Sequence, residues 1–269
     1  MDLIKTLEQL DSLYAKSAVS EADAFLASAL EQAEREQDEQ VLLSLLNEQM
    51  GLYRVTGRQS RAVELSGRAL ALVESLGLTG SAFHATVLLN RATALCVDGQ
   101  PDLALETYRR AETIYEIMGA PPFEYASLLN NMSSIYSARG ELEAAEACLK
   151  KSRELLADVP DTEAELATNA VNLSMLAIRQ GKQGEAEGWI QTAMEYYDHA
   201  GQTDTHRASA IAARGMLAFS RGQIEQALRD DREALTLTLE VFGESHDARI
   251  LRQNIDQLEK ELNKRYEGT

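Results

Sequence analysis

The chain has 269 residues, and its 26 basic and 43 acidic side chains leave a net charge of −17. An apolar fraction of 45% with only 6% aromatic residues suits a folded protein and excludes global disorder. So acidic a balance repels phosphate backbones and anionic headgroups, so neither nucleic acid nor a membrane surface is expected as a partner.

The opening residues, MDLIKTLEQLDSLYAK, space apolar side chains three or four apart among charges. That is an amphipathic helix and not a signal peptide. No later run approaches the roughly 18 apolar residues of a membrane span, and the chain is expected in the cytoplasm. Ala22 and Ala29 then begin a motif that recurs more strongly downstream. Gly57, Gly99, Gly140, Gly181 and Gly222 follow one another at 42, 41, 41 and 41 residues. Five residues after each stands alanine (Ala62, Ala104, Ala145, Ala186, Ala227), and twelve after each another small residue (Ala69, Ala111, Ser152, Ala193, Ala234). Seven before come Met50, Ala92, Ser133, Ser174 and Gly215. Apolar residues recur at helical spacing on both sides of each glycine, as in Leu129, Met132, Ile135 and Tyr136 before Gly140 and Leu142, Leu149 and Leu156 after it. The unit is therefore helix, turn, helix. Pro101 falls where the second helix begins, and Pro121, Pro122 and Pro160 fall between repeats. In the first, degenerate repeat Ser17 takes the place of the glycine. The last segment, 246–268, puts Ile250, Ile255, Leu258 and Leu262 on one face and charge elsewhere, as the end of a solenoid requires.

These positions are similar to the tetratricopeptide repeat pattern: a small residue seven before a turn glycine, alanine five after it and again twelve after it. Tyr53 and Tyr136 match a further tyrosine position; Leu95, Ala177 and Ala218 depart from it. At 41–42 residues the unit exceeds the family's usual length by about two helical turns. With the asparagine-bearing LLNNMSSIYSARGELEAAE it resembles the kinesin light chain variety. The resemblance implies an all-α chain wound into an open right-handed superhelix. Six helix pairs would fill residues 1–243 and a capping helix residues 244–269.

Little in the sequence points to catalysis. His84, His199, His206 and His246 are scattered, with only a loose stretch from His199 to His206 around Asp204, so no metal is expected. Cys96 and Cys148 read as core fillers, and there is no CxxC. No glycine-rich phosphate loop occurs, and neither a cofactor nor an enzymatic activity is expected. Asn131-Met132-Ser133 and Asn172-Leu173-Ser174 match a glycosylation sequon, but the repeat itself accounts for both.

One polar stripe stands out. Nine residues before the glycines come Glu48, Asn90, Asn131, Asn172 and Ala213; thirteen before come Ser44, Thr86, Ser127, Thr168 and Ser209. Six before come Gly51, Thr93, Ser134, Met175 and Met216, and two before Val55, Val97, Ala138, Arg179 and Ser220. These offsets share one face of each first helix. Asparagine and threonine each cost a helix roughly 0.5 kcal/mol against alanine, so their recurrence suggests a use. An amide both donates and accepts and can hold the main chain of an extended peptide. The family resemblance implies that first helices line a concave groove, which makes Asn90, Asn131 and Asn172 a ligand row. Asn47 and Asn130, one residue earlier, match the first asparagine of the kinesin light chain pair. Thr86, Ser127 and Thr168 extend the candidate site, and Arg179 is its one cation. The competing reading holds the asparagines to neighbouring helices and gives the hydroxyls to close packing, which for the hydroxyl row is the stronger reading.

The expected function is a non-enzymatic, monomeric scaffold that holds an extended segment or helix of a partner protein. A receptor for a short signalling peptide, resembling Rap-type sensors but with no residues to spare for their output elements, is the alternative. A structural subunit working through its convex face is the third reading.

Overall fold

The computed structural model describes residues 1–16, 18–119, 121–199 and 207–267. Among the described residues there are thirteen α-helices and no strand. They are α1 (Leu3–Ala15), α2 (Val19–Glu36), α3 (Glu39–Val55), α4 (Gln59–Ser75), α5 (Ala82–Val97), α6 (Pro101–Met118) and α7 (Pro122–Ala138). Then come α8 (Leu142–Leu156), α9 (Glu163–Arg179), α10 (Gln183–His199), α11 (Arg207–Ser220), α12 (Ile224–Phe242) and α13 (His246–Glu267). Ser17, Asp204 and His206, which figured in the sequence reading, lie outside the described residues.

The five glycines do what the period asks. Each adopts a positive φ, from 74° to 80°, which costs any residue with a Cβ. The residue after each glycine donates its N–H to the carbonyl five residues before itself: Arg58 to Tyr53 (2.8 Å), Gln100 to Leu95 (2.9 Å), Glu141 to Tyr136 (2.9 Å), Lys182 to Ala177 (2.8 Å) and Gln223 to Ala218 (2.9 Å). This bond ends the first helix and aims the chain into the second. Helix starts are fixed by side chains where the sequence offers them. Asp38 accepts from the N–H of Val41 (3.1 Å) and Ser81 from that of His84 (3.1 Å), and Pro101 sits in the first turn of α6.

The chain divides into two compact units, Met1–Pro121 with α1–α6 and Pro122–Thr269 with α7–α13. In both, each helix packs on the next, and first helices of successive pairs touch: α3 with α5, α7 with α9, and α9 with α11. Contact this close needs small residues. Ala62, Ala69, Ala104, Ala111, Ala145, Ala186, Ala193, Ala227 and Ala234, like Ser152, are fully enclosed. Between these columns leucines fill the core, among them Leu26, Leu43, Leu46, Leu88, Leu105 and Leu128. Each such burial is worth about 1.5–3 kcal/mol.

The last helix departs from expectation in one detail. Ile255, Leu258 and Leu262 pack on Ala218, Ile224, Ala227 and Leu228 as foreseen. Ile250 does not join them; Leu251 enters the core beside Ile211 and Ala234, and Ile250 stays 42% exposed. The buried seam runs 251, 255, 258, 262, with the 4-3-4 spacing of one helix face, and Ile250 falls about 100° off it.

Candidate binding site

The side chains of the first-helix stripe are half-buried or exposed at most repeats, whereas Ala213 in α11 is buried. Its amides do not form a row of open hands. The Asn90 amide donates to Oδ1 of Asn47 (2.7 Å), linking α5 to α3. Asn130 is buried, and its Oδ1 accepts from Nδ2 of Asn169 (3.0 Å), which also bonds the Leu149 carbonyl (2.9 Å). Asn47, Asn90 and Asn130 therefore stitch one first helix to the next, which is the competing reading of the asparagines. Asn172 makes no side-chain hydrogen bond among the described residues, and Asn131 is half-buried beside it in register. The hydroxyls are engaged locally. Thr86 bonds the Ala82 carbonyl (3.2 Å) and approaches the Tyr115 hydroxyl (3.4 Å). Thr168 bonds the Ala164 carbonyl (2.9 Å) beside Tyr197, whose phenol burial pushes up to about 12. Ser127 is half-buried on α7. Arg179 reaches back to the Ser137 carbonyl at the end of α7 (3.1 Å).

The concavity of the second unit lies further along the same stripe. A trough of about 420 Å³ opens between α9, α11 and α13. Met175, Ser209, Ala213 and Met216 of the stripe line it, together with Val171, Ala212 and Phe219. From α13 come Asp247, Ile250, Asn254 and Gln257, and from α12 Asp231 and Thr238. Met216 (39%), Phe219 (43%) and Ile250 (42%) keep large apolar surface in contact with solvent. Three such side chains gather around one concavity and do not lie singly across the surface.

At its floor sits a carboxylate. Asp231 is 5% exposed, and burial, helped by neighbouring Asp230, pushes its pKa up to about 6. Asp230 in turn is held by Arg214 (2.8 Å) and Gln226 (2.9 Å). The sequence reading missed Asp231, Asn169 and the contribution of α13. The signal for the first two was a broken column. Asn169 stands where the other repeats have Leu45, Val87, Leu128 and Ala210, and Asp231 where they have Ser66, Tyr108, Leu149 and Ile190.

No group of three His, Cys, Asp or Glu side chains able to hold a metal occurs among the described residues. Cys96 and Cys148 form no disulfide with each other, and burial pushes Cys96 up. The serines of both sequons, Ser133 and Ser174, are buried at the small packing position. No helix, among the described residues, is long and apolar enough to cross a membrane.

Two family models, both described as tetratricopeptide repeat, match residues 124–199 and 207–248. No curated protein matches the sequence. Among solved structures, NprR in complex with its cognate peptide NprX is similar at TM-score 0.64 and 14% identity, over 94% of this chain and 76% of that one. The apo form of RapI gives 0.61 at 10% identity, over 97% and 72%. A kinesin light chain-type protein of Podosopora anserina with nearly identical TPR-like repeats gives 0.55 at 15% identity, over 74% and 95%. At these identities the likeness is one of fold. The chain is all-helical with the fold of a tetratricopeptide-repeat array, and its long repeats are similar to those of kinesin light chain-like proteins.

Proposed function

From a tetratricopeptide-repeat fold, we propose that the protein is a non-enzymatic scaffold holding a segment of a partner protein in the trough between α9, α11 and α13. Residues 1–243 act as the array and 244–269 as its cap, whose inner face completes the trough. The chain works as a cytoplasmic monomer, and neither nucleic acid nor a membrane is its target. The observation that carries this reading is the exposure of Met216, Phe219 and Ile250 around one concavity of about 420 Å³. That size is in the range of pockets that take small ligands, roughly 300–1,000 Å³. Asn172, which makes no side-chain hydrogen bond among the described residues, supports extending the site along the neighbouring stretch of stripe, where it would hold peptide main chain beside Asn131.

A receptor for a short signalling peptide would use the same trough, and the fold likeness to NprR, solved with its cognate peptide, favours keeping that reading. Both are tested by filling the concavity. Ser209→Trp and Ala212→Trp place an indole where the partner would lie, on positions open to solvent or half-buried. Each variant should keep its helical circular dichroism, Ser209→Trp at the parent's melting temperature and Ala212→Trp, beside Ile211 and Leu251, at a somewhat lower one, and lose the partner captured by the parent. Undiminished capture by both would reject the trough.

A further inference from the structure

Asp231 breaks the rule that built the rest of the array. Nine residues after the other four turn glycines stand Ser66, Tyr108, Leu149 and Ile190, all buried core positions. Asp231 is as buried as they are, at 5% exposure. Among the described residues no hydrogen bond or ion pair reaches its carboxylate. The adjacent cation, Arg214, turns one guanidinium nitrogen to Asp230 (2.8 Å) and Glu233 (3.1 Å) and makes no bond to Asp231. A buried charge without a partner weakens a fold. Where a sequence breaks its own packing rule with no compensating contact, function is the usual reason.

Nor is the carboxylate sealed in. It lines the trough, and one oxygen lies over Gly215, where a methyl group would come within 2.6 Å of it. Gly215 is the smallest residue at a repeat position that elsewhere carries Met50, Ala92, Ser133 and Ser174. The missing side chain makes the room in which the carboxylate sits. Above it stand Met216, Phe219 and Ile250. The site thus combines exposed apolar side chains with one buried carboxylate, and Asp247 stands exposed on its α13 wall. A lone carboxylate is no metal site.

We propose that the trough receives a lysine of the partner segment, its aliphatic stem between Met216, Phe219 and Ile250 and its ammonium paired with Asp231. This rests on the scaffold reading above and names the chemistry of the partner. A slender stem ending in a compact charge suits a carboxylate that is only 5% exposed, and its methylenes suit the exposed Met216, Phe219 and Ile250. The chain's net charge of −17 draws basic segments toward it. At neutral pH the carboxylate, with its pKa near 6, is ionised and available. The charges that face it are Asp230 on its own helix, Arg214 on α11 and, across the trough, Asp247 on α13.

The test is selection of a displayed library of short random peptides on the full chain, on Asp231→Asn and on Ala212→Trp. The parent should enrich peptides with a lysine flanked by large apolar residues, and Ala212→Trp should enrich none. Asp231→Asn should still select apolar peptides without the lysine, and should bind a parent-selected lysine peptide roughly tenfold more weakly or worse. It should melt no lower than the parent. Replacing that lysine by norleucine should abolish the difference between parent and Asp231→Asn. Apolar selection by the parent without lysine, or unchanged lysine enrichment by Asp231→Asn, would overturn the proposal and leave the trough standing. An empty selection on the parent would overturn both.

Discussion

Asn169→Ala is the substitution whose cost the packing predicts most directly. Asn169 is fully buried in α9, and its Nδ2 bonds both Oδ1 of Asn130 (3.0 Å) and the Leu149 carbonyl (2.9 Å). Each bond contributes about 1 kcal/mol, and leaving Asn130 Oδ1 buried without a donor adds roughly 1–3 kcal/mol. Two terms work against this. The Asn169 Oδ1 is itself buried without a partner, so its removal recovers part of the loss, and alanine improves helix propensity by roughly 0.5 kcal/mol. The net cost should be about 2 kcal/mol. Asn172→Ala, three residues on and unbonded, should instead stabilise by roughly 0.5 kcal/mol. The chain has a single tryptophan, and it lies in α10, the helix paired with α9. Urea unfolding followed by Trp189 fluorescence therefore reads the affected region, while circular dichroism reads the whole array, in which repeats need not unfold together. Equal transitions for Asn169→Ala and the parent would refute the bonding scheme. So would a loss at Asn172 as large as that at Asn169.

Gly215→Ala brings a methyl within 2.6 Å of Asp231 Oδ1 and 3.2 Å of Asp230 Cβ and should destabilise by roughly 1–3 kcal/mol. Gly188→Ala, in the interior of α10 with nothing within 4 Å, should stabilise by roughly 0.5–1 kcal/mol. Denaturant midpoints of the two compared with the parent settle the contrast, and a shared sign would contradict it. Ala145→Leu and Ala186→Leu, at positions with no exposure where two helices meet, should each cost roughly 1–3 kcal/mol. Unchanged melting of both would misplace the helix contact. Asp231, raised from 3.8 to about 6 in the folded chain, is neutral on both sides of the transition below the lower value and ionised on both above the higher. Its contribution to stability is thus fully present below about pH 4 and lost as pH rises through about 6, by roughly 2–3 kcal/mol. Asp231→Asn should match the parent near pH 4 and exceed it at pH 7.5, measured as the difference between their unfolding free energies. A difference that does not change with pH would deny the buried, unpaired carboxylate.

The fold was legible because a chain reversal with positive φ admits little besides glycine, and close helix contact admits little besides alanine or serine. Gly57 to Gly222 and the alanines after them therefore carry the architecture in plain sight. The site was less so, since a stripe shared by all repeats reports what the repeats have in common. Asn90 and Asn130 look like groove residues by register, yet side-chain reach delivers one to Asn47 and the other to Asn169. Ile250 was assigned to the buried face of α13 because sequence spacing alone does not choose between adjacent seams, and Leu251 won. What marks Asp231 and Asn169 is a polar residue in a column that is otherwise core, a difference between repeats and not a likeness.

The asparagine links also bear on how such an array is copied and shuffled. In backbone terms the units are exchangeable: removing residues 141–181 would join Gly140 to Lys182 in the same φ, the same turn bond and the same phase. The side chains do not permit the exchange so freely. After that excision Asn130 would face α11, where Ala210 occupies the place of Asn169, and a buried amide would be stranded. Asn47 joins Asn90 through one pair of repeat positions, and Asn130 joins Asn169 through another. The second link therefore works as an address that only α9 answers, since Asn169 alone is an amide at its repeat position, so the order of these repeats, and not merely their number, is written into the chain.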